Sequence, residues 1–230
     1  MPVRTFTILL FASLLSAAPP TSSESLQQVI ARMDKAAAEF KAMKAQVTYV
    51  THTDILNEDN TETGTAVMKK VPNGEVQGLV DFVTPDKKTI TFEKRRMQIY
   101  YPKINTLQIM ELAKYGEQVD KFVMIGFGNS GTELARDYDM TVLGIDSVNG
   151  APAIRLQLAP KSAEVRQYVT KVELWIPEQG DPYPLREKIS QPSKDYRIAA
   201  YSDLKINPPL KADELQPKLP AGVIREYPGK

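Results

Sequence analysis

From Gln46 to Ile206, apolar residues recur at every second position in one short segment after another, each ended by Gly, Pro, Asn or Asp. Successive strand side chains point to opposite faces, so this alternation predicts β-strands with one buried and one wet face. The clearest case is Tyr168–Ile176, where Val172, Leu174 and Ile176 alternate with Lys171, Glu173 and Trp175. PEQGDPYP turns the chain, Leu185–Gln191 returns, and Gln191–Asp195 breaks it again. Tyr196–Ile206 then places Tyr196, Ile198, Ala200, Leu204 and Ile206 on one face. Such a succession predicts an antiparallel meander. Upstream, the same pattern runs through VTYVTHTDIL and TETGTAVMKKV, joined by a turn at Asn57–Asn60. After a Pro72-Asn73-Gly74 turn come EVQGLVDFV, KTITFE, MQIYYP and TLQIMEL. MTVLGIDSV and APAIRLQLAP, joined at Val148-Asn149-Gly150, precede the meander. Strand follows strand without an intervening helix, which predicts an antiparallel sheet of about eleven strands.

The period changes in two places. Leu26, Val29, Ile30, Met33, Ala37, Phe40 and Met43 repeat at three and four residues and draw one apolar stripe, the mark of an amphipathic helix, with Thr21–Glu24 fitting a capping box. Glu117–Tyr138 carries Val119, Phe122, Val123, Ile125 and Phe127 among Gly126, Gly128 and Gly131, which predicts one or two short helices lying on the sheet as a lid. GFGNSG follows no buried strand and has no P-loop lysine, so it is not read as a phosphate loop. The tail from Asn207 is proline-rich, with a helical turn expected near Ala212–Leu215.

A sheet of this size twists and curls, and one or two helices cover its concave side less fully than a second sheet would. The expected architecture is mainly β (α+β): an incomplete antiparallel β-barrel whose concave face is covered by an N-terminal helix and a central helical lid. Such barrels enclose ligands. In the first half of the sheet the alternation turns Val47, Tyr49, Ala66, Met68, Val80, Phe82, Ile90, Phe92, Ile99, Leu107 and Ile109 inward. In the second half it turns Ile154, Leu156, Leu158, Val172, Leu174, Ile189 and Ile198 inward, and Phe122 joins them from the lid. These are the candidate lipid-binding residues.

Composition narrows the function. Arg4, the apolar run Phe6–Leu15 and Ser16-Ala17-Ala18 read as a signal peptide over residues 1–18, too short to span a bilayer. Residues 22–230 are then one domain. Removing Arg4 from the 29 basic residues leaves a chain balanced against its 28 acidic ones, without the electrostatic footprint of a nucleic-acid binder. The absence of cysteine excludes disulfides and a lipid-modified N-terminal cysteine, so the mature protein is expected free in solution. The single histidine, His52, has no cysteine or second histidine with which to hold zinc, and no G-x-S-x-G elbow accompanies it. It reads as a surface strand residue. Asp137 and Asp139 sit beside the lid, but nothing singles them out as a glycosidase pair. No enzymatic activity, metal or cofactor is expected.

The order of parts resembles the outer-membrane lipoprotein carrier (LolA-like) family. The residues that carry the resemblance are KAMKAQVTYV, MKKVPN, MQIYYP, IRLQLAPK, the meander KVELWI…PLREKISQ…YRIAAYSDLKIN and the tail ELQPKLPAGV. The resemblance implies a monomeric periplasmic carrier that shields the acyl chains of lipoproteins, or of another lipid, on the way to the outer membrane. It implies loading from an inner-membrane ABC transporter and delivery to an outer-membrane acceptor. It also implies a gate at the end of the second strand, where family members place an arginine before proline. Lys69-Lys70-Val71-Pro72 stands there in this chain, and Lys70 takes the gate position. Lysine lacks the planar donor fork of arginine. Relatives that sense lipids supply the alternative, a lipid- or lipoprotein-sensing module of the cell envelope.

Overall fold

The N-terminal apolar stripe folds as α1 (Leu26–Glu39) in the computed structural model, which describes residues 24–71, 76–93, 96–112 and 125–228. Ser25 caps it: the Ser25 hydroxyl accepts from the Gln28 N–H, and the Gln28 side chain accepts from the Ser25 N–H at 2.8 Å. The capping box therefore falls one turn later than Thr21–Glu24, and the leader lies outside the described residues. The helix stops at Phe40 because one carboxamide both ends it and starts the sheet. Asn207 Nδ2 donates to the Glu39 carbonyl at 2.9 Å, while its Oδ1 accepts from the N–H groups of Lys41 and Ala42 at 2.7 and 3.1 Å. Met43, the last residue of the expected stripe, consequently belongs to the first strand.

Twelve strands follow among the described residues. They are β1 (Ala42–Thr53), β2 (Glu58–Lys70), β3 (Val76–Thr84), β4 (Lys88–Glu93), β5 (Arg96–Tyr101) and β6 (Thr106–Glu111) in the first half. The second half holds β7 (Tyr138–Val148), β8 (Ala151–Pro160), β9 (Lys171–Pro177), β10 (Arg186–Ser190), β11 (Tyr196–Ile206) and β12 (Ile224–Glu226). They form one sheet in the order β12-β6-β5-β4-β3-β2-β1-β11-β10-β9-β8-β7, not closed into a barrel. Every pairing is antiparallel except that of β12, which runs parallel to β6. β12 is the strand the sequence does not announce, since three residues are too few to show an alternation. The β1–β2 turn occupies residues 54–57, with Asn57 left-handed at φ 50°, so Glu58–Asn60 belong to β2 rather than to the turn. The Pro72-Asn73-Gly74 turn lies outside the described residues.

Two short helices, α2 (Gly131–Asp137) and α3 (Ala163–Arg166), complete the set. α1 and α2 lie together on the β7–β10 half, where Ile154, Leu156, Leu158, Val172, Leu174 and Ile176 are fully buried in one cluster with Val29, Met33 and Leu134. α2 is fixed to α1 at close range. The Thr132 N–H and hydroxyl donate to the Asp34 carboxylate at 2.8 and 2.6 Å, and Gly131 leaves no room for a Cβ, which would come within 2.7 Å of the Ile30 backbone. Of the lid expected over Glu117–Tyr138, α2 is the helical part seen here. Residues 113–124, with Phe122, lie outside the described residues.

After β11 the tail crosses the opposite, convex face. Its 3-10 turn Ala212–Leu215 packs against β2 and β3, and Lys44 Nζ donates to Glu214 Oε2 at 2.8 Å. β3 carries a bulge at Val83, beside Gly64 of β2, where a Cβ would stand 2.2 Å from the Asp81 carbonyl oxygen. Gly64→Ala therefore forces β2 and β3 apart. The expected loss is ~1–3 kcal/mol, read as a lowered urea midpoint with an unchanged slope.

Candidate functional site

The strand registers stack the concave face of the β1–β5 half into rows. Met43, Met68, Gly78, Phe92 and Met97 face one another across β1 to β5, and Ala45, Ala66, Val80, Ile90 and Ile99 form the next row. Val47, Gly64, Phe82 and Lys88 follow, then Tyr49 opposite Glu62. β11 adds Tyr201 beside Val47 and Ala199 beside Tyr49. Ala45, Gly64, Ala66 and Gly78 stand in these rows among larger side chains and leave them short of volume. A cavity of about 300 Å3 remains, lined by residues of all four rows together with Ala199 and Tyr201. That volume is at the lower end of the range for small-molecule sites, roughly 300–1,000 Å3. Its floor, towards the end of α1, is a cluster in which Phe40, Met43, Phe92 and Phe127 are buried together.

The predicted inward residues divide accordingly. Val47, Tyr49, Ala66, Met68, Val80, Phe82, Ile90 and Phe92 line the cavity, and Ile99 continues the row of Ile90. Ile154, Leu156, Leu158, Val172, Leu174 and Ile189 also face the concave side, but they belong to the solid core under α1 and α2. Three residues point the other way. Leu107 and Ile109 pair with Tyr100 and Gln98 on the convex face, the side on which the tail covers β2 and β3. Ile198 lies opposite Val50 on the convex face, because β11 bulges where it passes Lys44–Gln46, with Asp203 left-handed at φ 50°. That extra residue reverses the parity upstream, so Ala199 and Tyr201 point inward instead.

Polar groups stand at two places in this apolar surround. At the hairpin end, Glu62 is 7% exposed and both of its carboxylate oxygens accept from Lys88 Nζ, at 2.7 and 2.8 Å. The Lys88 ammonium also stands 5.1 Å from the Phe82 ring centroid. Beside it, burial raises the Tyr49 hydroxyl pKa, and Arg197, which hydrogen-bonds Tyr49, works against the rise. Deeper in, burial pushes the Glu187 carboxyl up to about 8 against a hydrogen bond from Tyr201, and Glu187 Oε1 is buried without a partner. Gly126 lies over it and could not carry a side chain without meeting Pro184 at 2.6 Å. Burial likewise raises the Tyr201 hydroxyl well above its ordinary range.

Lys69 and Lys70 end β2 and are exposed. With Lys41, Phe40, Asn207, Pro208 and Leu210 they line a separate open groove of about 670 Å3 at the end of α1. His52 is a strand residue whose ring stacks on Tyr196 at 4.4 Å and whose Nδ1 lies 2.8 Å from Asp59 Oδ1. Asp137 and Asp139 lie near cations, with Arg136 Nε 3.4 Å from Asp137 and Lys161 Nζ 3.8 Å from Asp139. Among the described residues no three His, Asp or Glu side chains come together as metal ligands.

No family model matches the sequence, and no curated protein matches it. Solved structures do share its architecture. An uncharacterized conserved protein from Thermus thermophilus aligns with a TM-score of 0.52 at 16% identity, over 89% of this chain and 99% of that one. LprF from Mycobacterium bovis aligns at 0.50 and 13% identity, over 83% and 97%. MucB aligns at 0.50 and 16% identity, and there the chain covers 84% of itself but only 62% of MucB. A LolA superfamily protein from Nitrosomonas europaea aligns as well, at a TM-score of 0.41 and 14% identity, over 85% of this chain and 99% of that one. Likenesses at these identities show a shared architecture.

Within this sheet the half packed under the helices and the half that holds the cavity differ mainly in side-chain size. The inward rows of β8 and β9 are Ile, Leu and Val throughout, whereas those of β1 to β3 include Ala45, Gly64, Ala66 and Gly78. That contrast was readable in the sequence. Glu62, Lys88, Glu187 and Tyr201 were not among the expected site residues, because a charged residue at an inward position looks like a turn of the strand towards water.

Proposed function

We propose that this protein is a periplasmic carrier that holds acyl chains of lipoproteins, or of another lipid, in the cavity of its half-barrel during transfer towards the outer membrane. The observation that carries this reading is the cavity itself: an apolar space of about 300 Å3 on the concave face of the β1–β5 half. Transfer of acyl chains into such a space is favourable by ~0.8 kcal/mol per methylene. Residues 1–18 act as the export signal. Among the described residues no helix is long and apolar enough to cross a membrane. The chemistry is binding and release rather than catalysis. Partners are an inner-membrane ABC transporter that loads the carrier and an outer-membrane acceptor that unloads it. Lys70, at the rim of the open groove, contributes to the gate.

The test is transfer. The purified protein is incubated with vesicles carrying an acylated lipoprotein, separated from them, and then mixed with acceptor vesicles. A carrier withdraws the lipoprotein into a soluble complex of defined size and gives it up to the acceptor. Lipoprotein that stays in the donor vesicles at all protein concentrations contradicts the proposal, and a soluble complex that never unloads supports the sensing module instead.

A further inference from the structure

We propose that one end of the sheet is a membrane-docking rim, at which Ile55 and Leu56 enter the head-group region of a zwitterionic bilayer. The inference goes beyond the carrier reading: it names the surface that meets the membrane and does not depend on what the cavity holds.

The registers bring the turns 54–57, 85–87, 102–105 and 191–195 to the same end of the sheet. Large apolar side chains that the core leaves outside gather there. Ile55 is 91% exposed and Leu56 63% exposed in the β1–β2 turn, and Ile104, in the β5–β6 turn, is 61% exposed. Val83 at the end of β3 is exposed too, as is Ile224, whose N–H donates to the Asn105 carbonyl beside Ile104. Single exposed apolar residues are ordinary. Two adjacent aliphatic residues at a hairpin tip are not something the turn requires, since turns favour Gly, Asn, Asp and Ser. The tip is also held in place. β1 and β2 stay paired for five residues beyond the last β2–β3 pair, Thr63–Thr84, which carries the tip ~17 Å past the end of β3. The Asn57 N–H donates to the Asp54 carbonyl at 3.0 Å, and the Asp54 N–H donates to Asp195 Oδ1 in the β10–β11 turn at 2.8 Å.

The arrangement favours a bilayer over a protein partner. The β1–β2 and β5–β6 turns stand four strand spacings apart, about 19 Å, with a polar turn between them. A protein interface needs a contiguous, close-packed apolar core, whereas a bilayer takes up each apolar tip separately at its interface. Charge says which bilayer. The four turns hold Asp54, Asp86 and Asp195 against Lys87, Lys103 and Lys194. The strand ends next to them add Glu58, Asp59 and Arg197 and the Glu62–Lys88 pair. These residues have no basic surplus to draw anionic lipid, so insertion of apolar side chains carries the binding.

The test is vesicle binding by the mature protein without cargo. The protein is mixed with phosphatidylcholine vesicles, with and without phosphatidylglycerol, at low and at high salt, and the bound fraction is read by flotation. The wild type is expected to float with pure phosphatidylcholine, and neither anionic lipid nor low salt should raise binding more than about twofold. Ile55→Ser/Leu56→Ser should lower partitioning about tenfold or more, with an unchanged urea midpoint because both side chains are exposed. Leu56→Trp fluorescence should be quenched by lipids brominated on their acyl chains, with the wild type, whose Trp175 is buried, as the blank. Wild type that stays soluble, partitioning that survives in the serine variant, or binding that needs anionic lipid and fails at high salt overturns the inference and leaves the carrier reading standing. Loss of lipoprotein transfer in the serine variant without any vesicle binding also overturns it, and assigns the rim to a protein partner. Vesicle binding by a protein that takes up no acyl chain upholds the inference and removes the carrier reading.

Discussion

Replacing Ala66 with tryptophan is expected to abolish acyl-chain binding and leave the fold intact. Ala66 sits in the middle row of the cavity, between Ala45 and Val80, with its side chain on the lining. An indole placed there grows into empty space, so the usual penalty for overpacking, ~1–3 kcal/mol, is largely avoided. It obstructs the cavity at its midpoint, so a chain loses contact with the deeper half. Ten methylenes buried in the cavity are worth roughly 8 kcal/mol, and losing half of them lowers affinity by more than about a hundredfold. The measurement is a titration with a fluorescent acyl probe, run beside a urea transition for each protein. An unchanged transition with lost binding is the expected pair of results. Unchanged binding in a folded Ala66→Trp protein would place the chain elsewhere.

The second large effect is on the pH dependence of stability. Glu187 titrates at about 8 in the folded protein, raised first by burial, against 4.5 for an ordinary glutamate. Its neighbours are Tyr201, which hydrogen-bonds it, and Tyr49, whose hydroxyl senses its charge. A raised folded-state pKa means that the native protein holds a proton the unfolded chain has released. The resulting stabilisation is fully present below pH 4.5, is lost steadily as the pH rises from there, and is gone above about pH 8. Glu187→Gln keeps the neutral shape and removes the titration. The variant and the wild type should match near pH 5, and the variant should be more stable at pH 8.5 by on the order of a few kcal/mol. Urea midpoints at pH 5, 7 and 8.5 decide the matter, and parallel profiles for the two proteins would show that the carboxyl is not protonated in the fold.

The strands and their facing were legible because the period-two pattern is dictated by burial on one side. KTITFE, APAIRLQLAP and YRIAAYSDLKI fold as strands over the expected residues, and Ala212–Leu215 forms the expected turn. Legibility failed where a second physical cause intervened. One extra residue in β11 near Asp203 turns Ile198 outward, and an isolated bulge leaves no mark in an alternation of mixed residues. The tail over the convex face gives that side of the sheet its own buried residues, Val67 and Leu79 among them, so the inner face could not be chosen for Leu107 and Ile109. The cavity itself depends on absent volume at Gly64 and Gly78, which a search for apolar residues passes over. The carboxylates Glu62 and Glu187 depend on long-range partners that only the folded registers bring together.

The central claim is that the cavity of the β1–β5 half holds acyl chains, and native mass spectrometry tests it most directly. The protein is expressed with its leader, recovered from the periplasm without detergent, and sprayed intact, with the Ala66→Trp variant beside it. The account predicts wild-type protein carrying bound acyl-chain molecules, released on activation and identified by mass, and a variant that arrives empty. A wild type that arrives empty and stays empty after incubation with lipid extract, or a variant that carries the same adducts, would contradict it.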